Sequence, residues 1–134
     1  MNLGDFTARL NVLKNNVSVY APLGPAKAIQ KEAKSAIGTY KYGWPRLSAR
    51  TVVRKRTGDK PLLETGKLQA SFKVKSGPHT ATVYSDDPKA GYFERGTSKM
   101  PPRPILGPAI HHARAEAQKA LLADVQSMFR RSLR

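Results

Sequence analysis

Apolar residues recur along this chain with two different periods, and the change of period outlines its elements. Leu3, Phe6, Leu10, Leu13 and Val17 are spaced three and four apart, one face of an amphipathic helix over about 3–20. Asp5 near its start and Lys14 in a later turn suit the helix dipole. Val17-Ser18-Val19-Tyr20 favours helix poorly, and Pro22, Gly24 and Pro25 interrupt the pattern. A second helix is predicted over about 25–38, with Pro25 in its first turn, Ile29, Ala33 and Ile37 on one face, and Gly38 as its stop. At Phe72-Lys73-Val74-Lys75 the alternation becomes apolar–basic, the period of a half-exposed strand. Ser76-Gly77-Pro78-His79 reads as a turn, and residues 80–85, rich in Thr, Val and Tyr, as the return strand. Asp86-Asp87-Pro88 turns the chain again, and Tyr92–Arg95 reads as a third strand, giving an antiparallel meander over about 70–96. Ile110, Ala113, Ala117, Leu121, Val125 and Met128 then trace a helix over about 108–130. The expected fold is α+β in one domain: a small antiparallel sheet of three or four strands, packed by N- and C-terminal helices, with a long basic loop between.

That loop, residues 40–61, changes the picture through its charge. It carries Lys41, Arg46, Arg50, Arg54, Lys55, Arg56 and Lys60 against the single acid Asp59, with Tyr40, Tyr42 and Trp44 beside them. Ser48 can cap a short helix reaching Val53. Over the whole chain 24 Lys+Arg face 9 Asp+Glu, a net charge of +15 in 134 residues. Self-repulsion of that size calls for a negative partner: nucleic acid, an acidic protein or an anionic surface. Basic and aromatic residues together suit a phosphate backbone; equally, Trp44 can plug the core and the charges can be a solvated loop. No apolar run approaches the ~18 residues of a membrane span, so no membrane partner is expected. Met1-Asn2-Leu3-Gly4-Asp5 lacks the basic start of a secretory signal, and there is no cysteine for a disulfide or thiolate site.

Between the meander and the last helix, residues 97–108 hold Pro101, Pro102, Pro104 and Pro108. Proline fixes φ and donates no backbone hydrogen bond, so this is a stiff extended connector. Arg103, between two prolines, has its backbone held and its side chain expected to reach outward.

Three blocks, in order, carry a resemblance: Trp44-Pro45-x-Leu47-Ser48-x-x-Thr51, then Pro61-Leu62-Leu63-x-Thr65-Gly66-x-Leu68-x-x-Ser71, then Tyr92-x-Glu94-x-Gly96-Thr97 running into Pro101-Pro102-Arg103-Pro104-Ile105-Leu106-x-Pro108-Ala109. Together they resemble the signature of tailed-phage neck proteins, the head–tail joining or tail-completion proteins often described as virion morphogenesis proteins. The resemblance covers roughly residues 37–109. It implies a structural virion protein at the neck, made in the host cytoplasm, that assembles as a ring of six around the DNA channel. Its neighbours would be other neck and tail ring proteins, and any contact with genomic DNA would be to the backbone. Within the signature, Gly66 and Gly96 suit backbone freedom, and Thr65, Thr97 and Ser71 suit caps or turns. Glu94, the one acid in the third block, can pair with Arg103 or Arg95, accept from the amides opening the last helix, or act between subunits.

Enzyme chemistry finds little purchase, and no cofactor is expected. His111 and His112 are adjacent, so on a helix they point about 100° apart and cannot share a metal; His79 lies in a turn. Asp86-Asp87 before Pro88 is explained by turn formation. Gly66-Lys67 has no phosphate-loop context, and Ser48 and Ser71 have no His/Asp set around them. The alternative to a neck protein is a sequence-independent nucleic-acid-binding protein acting as monomer or dimer, because no base-reading helix or zinc spacing accompanies the charge.

Overall fold

The computed structural model describes residues 23–77 and 80–134. Along them run α1 (Leu23–Ala36), α2 (Ala49–Arg54), α3 (Lys67–Ala70), β1 (Phe72–Ser76), β2 (Ala81–Ser85), α4 (Pro88–Arg95), α5 (Leu106–His112) and α6 (Arg114–Ser132). The helix expected over about 3–20, and His79, lie outside the described residues.

α1 is the hub, packing against α5, α6 and both strands. It can do so because its inner face is small: Ala26, Ala33 and Ala36 are buried, which lets four elements approach one helix. Ile37, Trp44, Leu68, Phe72, Ala90, Ile105 and Ala109 complete the core against Ala33 and Ala36. Two amide side chains tie the hub to its neighbours: Gln30 Nε2 donates to Phe72 O (2.8 Å) and Gln69 Nε2 to Lys34 O (2.8 Å). Past the end of α1, Gly38 N donates to Pro61 O (2.8 Å), bringing the second sequence block against the first helix.

The fold is mixed helix and sheet, but the sheet is smaller than expected. Among the described residues it is one antiparallel hairpin, registered Phe72↔Ser85, Val74↔Val83 and Ser76↔Ala81. Phe72 points into the core and Lys73 and Lys75 point out, as the alternation requires. The expected third strand at Tyr92–Arg95 is instead the end of helix α4. Asp87 caps that helix, its side chain accepting from Lys89 N (3.0 Å), and Pro88 occupies the first turn. Gly96, at φ +75°, closes it by donating to Tyr92 O (2.7 Å). Cap, proline and terminal glycine together outweigh the strand propensity of Tyr92 and Phe93.

The C-terminal helix is also not continuous. Ala113 (φ −83°, ψ −1°) separates α5 from α6. Ala109 and Ala113 are buried at this junction while Ile110, expected on the inner face, is exposed. No residue of α6 is fully buried, and its packing is against α1 and α5.

Candidate interaction site: a basic groove framed by three sequence blocks

The first and third blocks, far apart in sequence, lock together through backbone carbonyls and amides, and the second joins them in the core through Leu68, beside Trp44 and Ile105. Trp44 is buried and its Nε1 donates to Pro104 O (2.8 Å). Arg103 is buried as well, against the expectation that its side chain reaches outward. Its Nε and Nη2 both donate to Pro45 O (3.3 and 3.0 Å), and its backbone N donates to Phe93 O (2.7 Å). A guanidinium fork can hold one carbonyl with two donors, so the connector turns Arg103 inward and clamps residues 44–45. Glu94 takes the helix-opening role among its alternatives: Oε1 accepts from Ile105 N (2.6 Å) and Leu106 N (2.5 Å) at the start of α5. Those amides have no partner inside the helix, so a carboxylate there satisfies two orphan donors.

Gly96 is required twice over. Its φ of +75° disfavours a side chain, and a Cβ there would lie 2.8 Å from Pro102 N. Beyond it Thr97 and Met100 exchange backbone hydrogen bonds (2.9 and 3.3 Å), while Thr97 Oγ1 accepts from Lys99 N (3.3 Å). In the second block, Leu63 O accepts from Thr57 Oγ1 (2.6 Å), and Thr65 Oγ1 accepts from Lys67 N (3.4 Å). Gly66 stands just before α3. Ser71 is buried, donating to Leu68 O and bonded to Ser85 Oγ (2.6 Å), which ties α3 to β2. Tyr92 is exposed, and it enters this framework only through its backbone carbonyl, which accepts from Gly96 N.

The interlocked blocks enclose a groove of about 830 Å³. The first block contributes Leu47, Ser48 and Thr51; the second Leu62, Gly66 and Leu68; the third Phe93, Met100 and Arg103. Leu62 is held at φ +62°, the sole non-glycine residue with positive φ among the described residues. A branched side chain in that conformation costs about 1–2 kcal/mol, and such strain persists where surrounding structure fixes it. Lys55, Lys67, Lys89 and Lys99 also line the groove, against the acids Glu64 and Asp87. Glu64 pairs with Lys55 (3.6 Å) and Asp87 is committed to capping α4.

The basic loop is less uniform than its sequence. Lys41 pairs with Glu32 (2.7 Å) on α1, which also accepts from the Tyr42 hydroxyl (3.2 Å). The Lys41 ammonium holds the Glu32 carboxyl below its usual range, and burial pushes the Tyr42 hydroxyl far above its own. Arg46 stacks on Tyr40 (4.6 Å) and pairs with Asp59 (3.6 Å), whose carboxylate accepts from the Tyr40 hydroxyl. Acids just outside the loop therefore offset Lys41 and Lys55, which the tally of one acid within it does not count. Arg50, Arg54, Arg56 and Lys60 remain exposed with no ion pair among the described residues. Ser48 caps α2 as expected, accepting from Thr51 N (3.2 Å), and the helix turns Arg50, Val53 and Arg54 to solvent.

Lys67, Lys89 and Lys99 were not marked by the sequence, because each stands alone there; only folding gathers them. Among the described residues no three His, Asp or Glu side chains cluster as metal ligands, and no helix is long and apolar enough to cross a membrane. Compared with protein-family models, curated proteins and solved structures, the chain matches none.

Proposed function

We propose that this chain is a structural protein of a tailed-phage neck, a tail-completion component that forms a ring at the head–tail junction. The observation that carries this reading is the convergence of the three signature blocks. Trp44 and Pro104, and Pro45 and Arg103, hydrogen-bond the first block to the third, Glu94 ties the third block to itself, and Leu68 of the second packs in the same core. Their meeting in one place supports reading them as one functional unit. The chemistry of the site agrees with a structural role: Arg103 clamps a carbonyl, and Glu94 and Asp87 cap helices.

In this reading the connector is a rigid strut whose Pro101 and Pro102 are exposed for a neighbouring subunit, and prolines at an interface reduce the ordering cost of binding. The ring would have six copies, with the exposed cations of α2 turned to channel DNA or to an acidic ring neighbour. Deleting the gene from its phage should leave filled heads and complete tails unjoined in negative-stain micrographs, with joining restored by the intact gene. Normal joined particles from the deletion would refute the proposal. The same unpaired cations support a second reading, a monomeric or dimeric nucleic-acid-binding protein. Native mass spectrometry separates the two, because that reading requires no closed ring.

A further inference from the structure

We propose that the groove between α2, residues 61–68 and the connector is the seat of an extended acidic segment from a partner protein. The inference deepens the neck reading by naming the chemistry of a partner, and it rests on that reading only for the partner's setting.

Burial separates the groove into a floor and a rim. Leu62, Leu68, Phe93 and Met100 are buried or half-buried and apolar; Lys67, Lys89 and Lys99 are exposed. None of these three lysines has an ion pair among the described residues. The two acids of the groove are already engaged, Glu64 with Lys55 and Asp87 with the opening of α4. The groove therefore presents a rim with more cations than acids around an apolar floor.

The occupant must complement both. An extended peptide places alternate side chains on opposite faces, so one row can lie on Leu62, Phe93 and Met100 while carboxylates in the other meet the flexible lysines. Duplex nucleic acid complements only the rim, since an ionised phosphate gains nothing over an apolar floor, and a single strand finds on that floor one aromatic side chain, Phe93, for a base to stack on. A second copy of this chain brings few carboxylates to such a rim, with 9 Asp+Glu against 24 Lys+Arg, so the ring contacts are expected elsewhere than in the groove. The strained Leu62 backbone fits a recognition surface whose floor is fixed before the partner arrives, which lowers the cost of binding.

The test uses the full chain and three probes: a labelled peptide alternating aspartate and leucine, its aspartate-to-asparagine counterpart, and a single-stranded oligonucleotide. The acidic peptide should bind, slow amide exchange in residues 62–68 and 97–103, and lose about tenfold in affinity when asparagine replaces aspartate. Lys67→Gln/Lys89→Gln/Lys99→Gln should weaken it by a similar factor with an unchanged Tm, whereas Lys119→Gln/Arg130→Gln on α6 should leave it unaltered. No binding, binding indifferent to the three groove lysines, or displacement by the oligonucleotide would each overturn the proposal. A chain that binds the peptide normally but is dispensable for joining heads to tails would refute the neck reading and keep the groove. Loss of joining in the deletion, together with no peptide binding, would do the reverse.

Discussion

Glu94 Oε1 accepts two backbone amides beside Ile105, a fully buried side chain. Removing the carboxylate strands both donors where water reaches them poorly. Loss of a helix-capping side chain costs about 0.5–2 kcal/mol, and a buried orphan donor about 1–3 kcal/mol. Glu94→Ala should therefore lower unfolding free energy by about 2 kcal/mol in urea, while Glu94→Gln, which keeps an acceptor oxygen, should cost less than half as much. Equal losses would mean that the charge, not the acceptor, does the capping. Leu62 offers the opposite kind of test. Its side chain is lost equally in Leu62→Ala and Leu62→Gly, but only glycine relieves the left-handed backbone. Glycine ordinarily trails alanine by about 0.5–1 kcal/mol through unfolded-state entropy; relief of about 1–2 kcal/mol should cancel or reverse that order. If the alanine variant is clearly the more stable in parallel melts, residue 62 is not held at positive φ in solution.

Between elements, the contact of α1 with the start of the basic loop is set by Glu32, Lys41 and Tyr42. The Lys41 hydrogen bond depresses the Glu32 pKa from its ordinary 4.5. A group with a folded-state pKa below its unfolded value stabilises the fold above the unfolded pKa and stops doing so as pH falls through the folded one. Stability should therefore decline as pH drops below about 4.5, and Glu32→Gln should flatten the acid limb of a Tm–pH profile by the equivalent of about 0.5–1 kcal/mol. An unchanged limb would place the acid sensitivity elsewhere. Elements showed in the sequence where local signals agreed. α1 followed from Ile29, Ala33 and Ile37, α2 from Ser48, and the hairpin from the Phe72–Lys75 alternation. α4 was misread because Tyr92 and Phe93 favour strands, although Asp87-Pro88 and Gly96 bracket a two-turn helix; the caps outweighed propensity. The α5–α6 break at Ala113 left no mark, since alanine is the best helix former. At the site, Trp44 in the core and Glu94 on the α5 amides were among the alternatives read from sequence. The inward turn of Arg103 was not, because its acceptor, Pro45 O, lies 58 residues away.

At the scale of the molecule, a net +15 must be held without a local excess of acids. The fold meets part of it by bringing Glu32 to Lys41, Asp59 to Arg46 and Glu64 to Lys55. Among the described residues it leaves, besides cations spread over α1 and α6, two groups with different surroundings. Lys67, Lys89 and Lys99 stand around an apolar floor, whereas Arg50, Arg54, Arg56 and Lys60 stand on an open convex loop beside the exposed Val53. An open cationic face has the form suited to a phosphate backbone, and counterion release makes that contact measurable: log K falls with log salt by about 0.9 per phosphate neutralised. Changing those four residues to glutamine should flatten the salt slope for duplex DNA by about 3 to 4, equally for unrelated sequences. Thermal stability should stay within about 0.5 kcal/mol, because exposed charges without partners contribute little to folding. The groove variant Lys67→Gln/Lys89→Gln/Lys99→Gln should leave that slope alone. If the loop variant keeps the slope and the groove variant loses it, the assignments of the two surfaces are exchanged. If neither changes it, DNA does not touch this protein through either surface, and the loop is left to an acidic protein or to solvent alone.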